Sequence, residues 1–271
     1  MKAFIFFILA LLFSLQVFAT AQVMDRLIYK GDTIRLFPSP LERHPNIDSL
    51  RLKMFDGKAD SWRNSTACGN NYLAVWTITD NQLYLTNIYL DCKITNKDNK
   101  NLLKLLFGEK YVNGKVKADW VTGTFTSPQG KLLYSINDAY EPIYERDLEF
   151  YFEKGKLKKT LLYDNSKAKQ SVYSQDEQKR IEHIYSNINW KVLPKRDTIV
   201  RVVVEFSANE NGIIDEAKIL RGYNELYDQE AIRIVKSIPE WDVYFRRGKF
   251  KRMSYTMPIT FSEENRLIYK K

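Results

Sequence analysis

Alternation of apolar and polar residues with a period of two runs through the first half of this chain, and that period marks strands with one buried face. Tyr72 to Ile78, Leu83 to Leu90, Asp119 to Phe125, Lys131 to Ile136 and Leu148 to Phe152 carry it. Lys156 to Tyr163 is a partner for the last of these across Glu153-Lys154-Gly155. Upstream, Leu27 to Arg35 reads as one strand, and Pro38, Pro40 and Pro45 exclude a long helix behind it, leaving a leading loop. Leu102 to Phe107 is apolar but too short for its period to decide between a helix and a buried strand. The spacing predicts a β-rich module over residues 22–165.

The pattern then changes. Asp164 to Ser174 is polar and rich in Lys and Ser, which predicts a linker or exposed loop and a module boundary. A helix is expected from Ser174, with Glu177 completing a capping box and Ile181, Ile184, Tyr185 and Ile188 on one face. Arg201 to Phe206 alternates again, Asn211-Gly212 turns the chain, and Ile213 to Leu220 returns as the second arm of a hairpin. Glu225 to Ile238 is amphipathic at helical spacing, with Ala231, Ile234, Val235 and Ile238 inward, and Pro239 stops it. After the basic turn Arg246-Arg247-Gly248-Lys249, a final strand sets Met253, Tyr255, Met257, Ile259 and Phe261 on one face and Arg252, Ser254, Thr256 and Thr260 on the other. Faces so unlike predict one packed and one wet. The fold class expected is therefore α+β, a β-rich module followed by a small module over residues 174–271 made of a leading helix, a hairpin, a helix and a last strand.

The first 21 residues fit neither period. Lys2 precedes the unbroken apolar run Ala3 to Phe13, and Ala19-Thr20-Ala21 supplies small residues for a signal peptidase, so residues 1–21 read as a signal peptide whose removal leaves Gln22 first, in the periplasm. A retained anchor is the rival reading, because the apolar stretch reaches Ala19 with only Ser14 and Gln16 interrupting it. Export changes what the two cysteines mean: in an oxidising compartment Cys68 and Cys92 are expected to pair. Folding Asn71 to Thr79 onto Gln82 to Asp91 about Asp80-Asn81 brings the two cysteines nearly opposite, with Gly69 available to absorb a one-residue offset as a bulge.

Composition adds less. Hydrophobic residues at 44% and charged residues at 28% are globular values, and 17 Tyr with 15 Phe suit a β-rich core. The net charge of +9 is spread along the chain, and an exported protein seldom meets nucleic acid, so no nucleic-acid partner is expected. Arg246, Arg247, Lys249 and Lys251 form the densest basic cluster, either a solvated turn or a contact for anionic envelope polymers.

The order Val202-x-Val204-x-Phe206, Asn211-Gly212, Asp228-x-Glu230-Ala231, Ile238-Pro239-x-Trp241, Gly248-Lys249 and Met257-Pro258-Ile259-x-Phe261 resembles the C-terminal domain of the TonB family over about residues 198–261. The resemblance implies a hairpin and a last strand packed on one helix. It also implies recognition by strand addition, in which an extended segment of an outer-membrane receptor pairs with the last strand, here Arg252, Met253, Ser254, Tyr255 and Thr256 onward to Thr260. It further links the chain to TonB-dependent outer-membrane transport. The chain departs from the energy-coupling members in one respect: its eight prolines are scattered and a β-rich module stands where they carry a Pro-rich spacer. The β-rich module resembles no family; docking onto the last strand or homodimerisation through it are the other uses of such an edge.

Catalytic patterns are missing from the sequence. There is no Gly-x-Ser-x-Gly, no phosphate loop and no Cys-x-x-Cys, and His44 and His183 have no metal-ligand spacing, so neither an enzyme nor a metal or cofactor is expected. The alternative function is carbohydrate or glycolipid binding on exposed aromatics of the β-rich module, with Tyr72, Trp76, Tyr84, Tyr89 and Trp120 as the platform.

Overall fold

Among the described residues, five two-residue turns set strand pairing. In each, both residues have positive φ: Lys30-Gly31 (52° and 89°), Asp80-Asn81 (52° and 59°), Asn113-Gly114 (50° and 79°), Lys154-Gly155 (48° and 73°) and Arg247-Gly248 (51° and 67°). Two successive left-handed residues match the right-handed twist of the flanking strands, which is why such turns close hairpins. The first of them overturns the expectation of one strand from Leu27 to Arg35, because Lys30-Gly31 folds that run into β1 (Asp25–Tyr29) and β2 (Asp32–Leu36).

The computed structural model describes residues 22–55, 57, 67–94, 100–134 and 142–269, so the expected signal sequence over residues 1–21 lies outside the described residues. The fold is α+β, and it divides into one unit of residues 1–123, 135–142 and 152–157 and a second of residues 124–134, 143–151 and 158–271. This division differs from the expected modules of 22–165 and 174–271. No helix among the described residues is long and apolar enough to cross a membrane.

In the first unit, β1 pairs parallel with β3 (Tyr72–Thr79), and β3 pairs antiparallel with β4 (Gln82–Leu90). Helix α1 (Ile47–Met54) precedes β3, and Leu102 to Phe107 proves to lie in a helix, α2 (Lys100–Phe107). Strands β5 (Tyr111–Val112) and β6 (Lys115–Lys117) follow, with β6 on β4. Leu27, Trp76, Leu83, Leu85, Leu103 and Val116 are fully buried here, on alternate strand positions and one side of α2.

The expected strands Asp119 to Phe125 and Lys131 to Ile136 are replaced by one longer strand, β7 (Gly123–Tyr134), preceded by a turn in which the Val121 amide donates to the Ala118 carbonyl (3.1 Å). Residues 135 and 136 lie outside the described residues. β7 neighbours β8 (Ile143–Glu153), and β8 neighbours β9 (Lys156–Asp164).

In the second unit, the stretch read from sequence as a linker is pinned. Asn165, Ala168 and Ser171 are buried. The Asn165 Nδ2 donates to Asp147 Oδ2 (2.8 Å), and its Oδ1 accepts from the Gly248 amide (3.0 Å). Ser171 donates through its amide to Asp242 Oδ1 (2.6 Å) and caps α3 (Val172–Gln175). Ser174 does not form the capping box with Glu177, because the buried Asp242 carboxylate takes its hydroxyl (2.5 Å). Asp176 caps α4 (Glu177–Ser186) instead, its Oδ1 accepting from the Lys179 amide (3.0 Å). Polar composition alone cannot separate a solvated loop from one whose side chains meet buried partners distant in sequence.

The rest of this unit follows the pattern. Strand β10 (Val200–Ala208) is central to a three-stranded sheet ordered β11-β10-β14, with β11 (Ile214–Arg221) and β14 (Ser254–Phe261) both antiparallel to it. Helix α5 (Glu225–Lys236), capped by Asn224, lays Ala231, Ile234 and Val235 against Val202, Val204 and Phe206 in one core with Met257, Ile259 and Phe261. The short hairpin β12 (Phe245–Arg246) and β13 (Lys249–Phe250) comes between α5 and β14. Helix α6 (Glu263–Tyr269) closes the chain, and its buried Arg266 donates to the Leu193 and Pro194 carbonyls (3.1 and 3.0 Å).

Two glycines test this account of the backbone. Gly212 has φ +83° and a Cβ there would stand 2.9 Å from the Trp241 carbonyl oxygen, whereas Gly31 has φ +89° with nothing within 4 Å. Gly31→Ala should cost about 1 kcal/mol from conformation alone, and Gly212→Ala should cost more by forcing Trp241 away. Urea unfolding of the two variants checks the difference.

Candidate functional site

The free edge of β14 is the best-defined site for a partner. Among the described residues β14 pairs with β10 alone, from Val200↔Phe261 to Ser207↔Ser254. In an antiparallel pair successive residues turn their backbone groups alternately toward and away from the neighbour. Two facts fix which set points away. Pro258 has no N–H to give β10, and the carbonyl of Thr260, in the same phase, accepts from Asn265 Nδ2 (3.0 Å). Ser254 and Thr256 share their phase, so the outer edge offers the N–H and C=O of Ser254 and Thr256 and the C=O of Pro258. Tyr255, Met257, Ile259 and Phe261 face β10.

The side chains follow the same phase. Ser254, Thr256 and Pro258 are exposed on the wet face, while Met257, Ile259 and Phe261 are buried against α5. Tyr255 is half-buried, stacked on Phe206 (centroids 5.7 Å) and edge-on to Trp241 (5.7 Å), and burial pushes its phenol pKa up. Its hydroxyl lies 3.5 Å from that of Tyr134, which donates to Asp242 Oδ2 (2.7 Å). Arg252 and Met253 precede the strand rather than lying in it. Met253 is exposed. Arg252 is held by Asp215 through two hydrogen bonds (2.6 and 3.1 Å), and those bonds raise its pKa and hold that of Asp215 down.

The basic cluster is not a single surface. Arg247 pairs with Glu149, a carboxylate that is 1% exposed and also accepts from the Tyr151 hydroxyl (2.8 Å). The Gly248 amide beside it is taken by Asn165, and Arg246 reaches the Tyr244 hydroxyl (3.4 Å). Lys249 and Lys251 are exposed. Arg247 thus neutralises a buried carboxylate instead of waiting for an anion, an arrangement expected wherever a carboxylate is taken out of water.

No family model, no characterised protein and no solved structure matches this chain.

Of the five aromatics expected as a platform, two are buried and three are half-buried. Trp76 and Tyr72 are buried, 0% and 2% exposed. Trp120 is stacked on Phe107 (5.9 Å, 10°) with His44 edge-on (4.7 Å), and Lys115 lies over the Tyr84 ring (3.9 Å). Tyr89 is half-buried. Tyr72 and Trp76 belong to the core, which period two announces but does not orient. Burial holds the His44 pKa below its ordinary value, and His183 Nε2 contacts the Ser237 carbonyl (3.0 Å).

Cys68 and Cys92 form a disulfide, with Cα atoms 5.9 Å apart. The offset expected at Gly69 is absorbed elsewhere. The ladder shifts between Val75 and Trp76, leaving Thr86 unpaired in β4, and Asp91 and Cys92 turn back with φ of 54° and 51°. Closing a loop across a separation of 24 residues should stabilise by about 3 kcal/mol, so the protein reduced under native conditions should lose that much in urea titration.

One site was missed from sequence. A pocket of about 160 Å3 is lined by Asp25, Ser39, Glu42 and Tyr72 together with Gln22 and Met24. Asp25 Oδ2 accepts from Ser39 Oγ (2.6 Å) and Trp76 Nε1 (2.8 Å), and its Oδ1 accepts from the Ala74 amide (3.0 Å). The Tyr72 hydroxyl donates to Glu42, which pairs with Arg51. The signal was available: Asp25 is in phase with Leu27 and so falls on the buried face of β1. Burial pushes its carboxyl up to about 6 despite the three donors, with the Glu42 charge adding to the rise. The native protein therefore holds this proton more tightly than the unfolded chain. The resulting stability is complete below about pH 4 and is lost as pH rises through about 6, a change on the order of 3 kcal/mol. Asp25→Asn should flatten that part of the profile, measured as wild type minus variant in urea midpoints from pH 4 to 7.

Proposed function

We propose that this protein is an exported, non-enzymatic adaptor of the periplasm whose C-terminal module takes up an extended segment of an envelope protein along β14. The observation that carries the reading is the edge itself: β14 pairs with β10 alone among the described residues, and Ser254, Thr256 and Pro258 turn their backbone groups outward. Unpaired N–H and C=O groups in register are what an incoming strand requires. The resemblance to the TonB C-terminal domain supports the same reading, because it implies a hairpin and a last strand packed on one helix. Val202 to Phe206 lie in β10, Asn211-Gly212 in the connection to β11, Glu230-Ala231 on α5 and Met257-Pro258-Ile259 on β14. The partner this similarity names is an outer-membrane receptor, and the role is one linked to TonB-dependent transport. Export rests on the Lys2, Ala3 to Phe13 and Ala19-Thr20-Ala21 pattern, and the Cys68–Cys92 disulfide suits that compartment. A second copy pairing through β14 is the competing occupant.

Adding an extended receptor-derived peptide to the full chain should slow exchange of the Ser254 and Thr256 amides and leave Tyr255, Met257 and α5 unchanged. Affinity should be micromolar or weaker, about 6 to 8 kcal/mol, since one short run of main-chain bonds supplies it. Thr256→Pro removes an outward donor and should weaken binding with the fold intact. Tyr255→Pro removes an inward one and should destabilise the sheet. Unchanged exchange at both outward amides, together with an envelope pull-down that recovers no outer-membrane receptor, would sink the reading. Protection that grows with protein concentration alone would assign the edge to a second copy.

A further inference from the structure

Beside this edge, on the sheet face turned away from α5, lies a groove of about 510 Å3 lined by Glu205, Ser207, Glu216, Lys218, Arg252 and Ser254. Short side chains at Ser207 and Ser254 leave it open between longer neighbours. Its cations are already engaged. Arg252 donates to both Asp215 oxygens (2.6 and 3.1 Å) and to Ser207 Oγ (3.0 Å), with Glu216 Oε2 at 3.6 Å. Lys218 Nζ stands 3.3 Å from Glu205 Oε1.

The carboxylates keep capacity to spare. Glu205 takes both Lys218 and the Ser254 hydroxyl (3.0 Å) on Oε1, and Glu216 takes Ser207 Oγ (2.9 Å) and Arg252 on Oε2. Among the described residues, the other oxygen of each accepts no hydrogen bond. With Asp215, three carboxylates face two cations, so the groove and its rim carry one net negative charge although the chain as a whole is at +9.

We infer that this groove selects, among segments that pair with β14, those that place a lysine or arginine on the wet face beside Ser254 and Thr256. The inference rests on the strand-addition reading above and supplies the chemistry of the partner. Glu205 is the register partner of Thr256 on β10, so a residue facing Thr256 from an added strand sits two strand spacings, about 10 Å, from Glu205 on the same face. A long basic side chain spans that distance over the short Ser254 and Thr256 and reaches the carboxylate oxygen that accepts no hydrogen bond. An acidic side chain in the same place meets two carboxylates and no unengaged cation.

The test uses the full chain and capped peptides Thr-Val-Xaa-Val-Thr, in which Xaa alone varies between Lys, Arg, Gln and Glu. Sliding the peptide by two residues keeps Xaa on the wet face. The Lys and Arg peptides should bind about threefold to fivefold tighter than Gln at low salt, the range of an exposed ion pair, and Glu should bind weakest. The advantage should shrink in high salt. In Glu205→Gln the Lys-to-Gln ratio should fall to about one while the Gln peptide binds as before, and Glu216→Gln should give a smaller loss. Equal binding of all four peptides, with the Ser254 and Thr256 amides protected, overturns the selectivity and leaves strand addition standing. A ratio that persists in the double variant Glu205→Gln/Glu216→Gln also overturns it. No binding by any peptide, with both amides unprotected, overturns the two readings together.

Discussion

Eight cross-strand pairs between β10 and β14 decide most of what the C-terminal unit is. They bring the last strand of the chain beside the strand that opens the hairpin, so Met257, Ile259 and Phe261 complete the core that Val202, Val204 and Phe206 begin. α5 then covers one continuous apolar face. Burying side chains of this size is worth roughly 1.5 to 3 kcal/mol each, so a shift of one residue in this register would expose the whole set and is strongly disfavoured. The same register fixes the opposite phase. Once the apolar positions face inward, the small polar ones face water, and the backbone groups beside them have no neighbour strand among the described residues.

Buried polar contacts join that sheet to the strands that precede it. Asp242 collects the Ser171 amide and the hydroxyls of Ser174 and Tyr134; Asn165 joins the β8 strand to the β12–β13 turn; Glu149 is matched by Arg247. Each is a group that would be costly to bury alone and is satisfied in full by partners far away in sequence. Together they convert the stretch from Asp164 to Ser174 from a tether into part of the fold.

How much of this was legible from residues alone follows from range. Local chemistry read well: the turns at Asp80-Asn81 and Lys154-Gly155, the stripe on α5, the two unlike faces of β14 and the pairing of Cys68 with Cys92 all depend on neighbours or on one hairpin. What did not read well depends on which distant group a polar side chain meets. Ser174 has the spacing of a capping box, but Asp242 takes its hydroxyl. Arg247 looks like a free surface cation until Glu149 is placed beside it. Tyr72 and Trp76 carry no mark in the sequence that separates a core ring from a binding platform. The outward phase of β14 was half legible: Pro258 announces an edge, but the engagement of Thr260 by Asn265 needs α6 folded back on the strand.

Pro258 and Asn265 have a bearing on solubility as well. A sheet edge that can accept one strand can in principle accept another copy of itself, and a long regular edge propagates such pairing into open-ended aggregates. Here the acceptor run is interrupted at Pro258, where a donor is missing, and terminated at Thr260, whose carbonyl is already occupied. The remaining span is short enough to dock a brief segment and too short to template a growing stack. The residues that make the edge recognisable also keep it from becoming a seed.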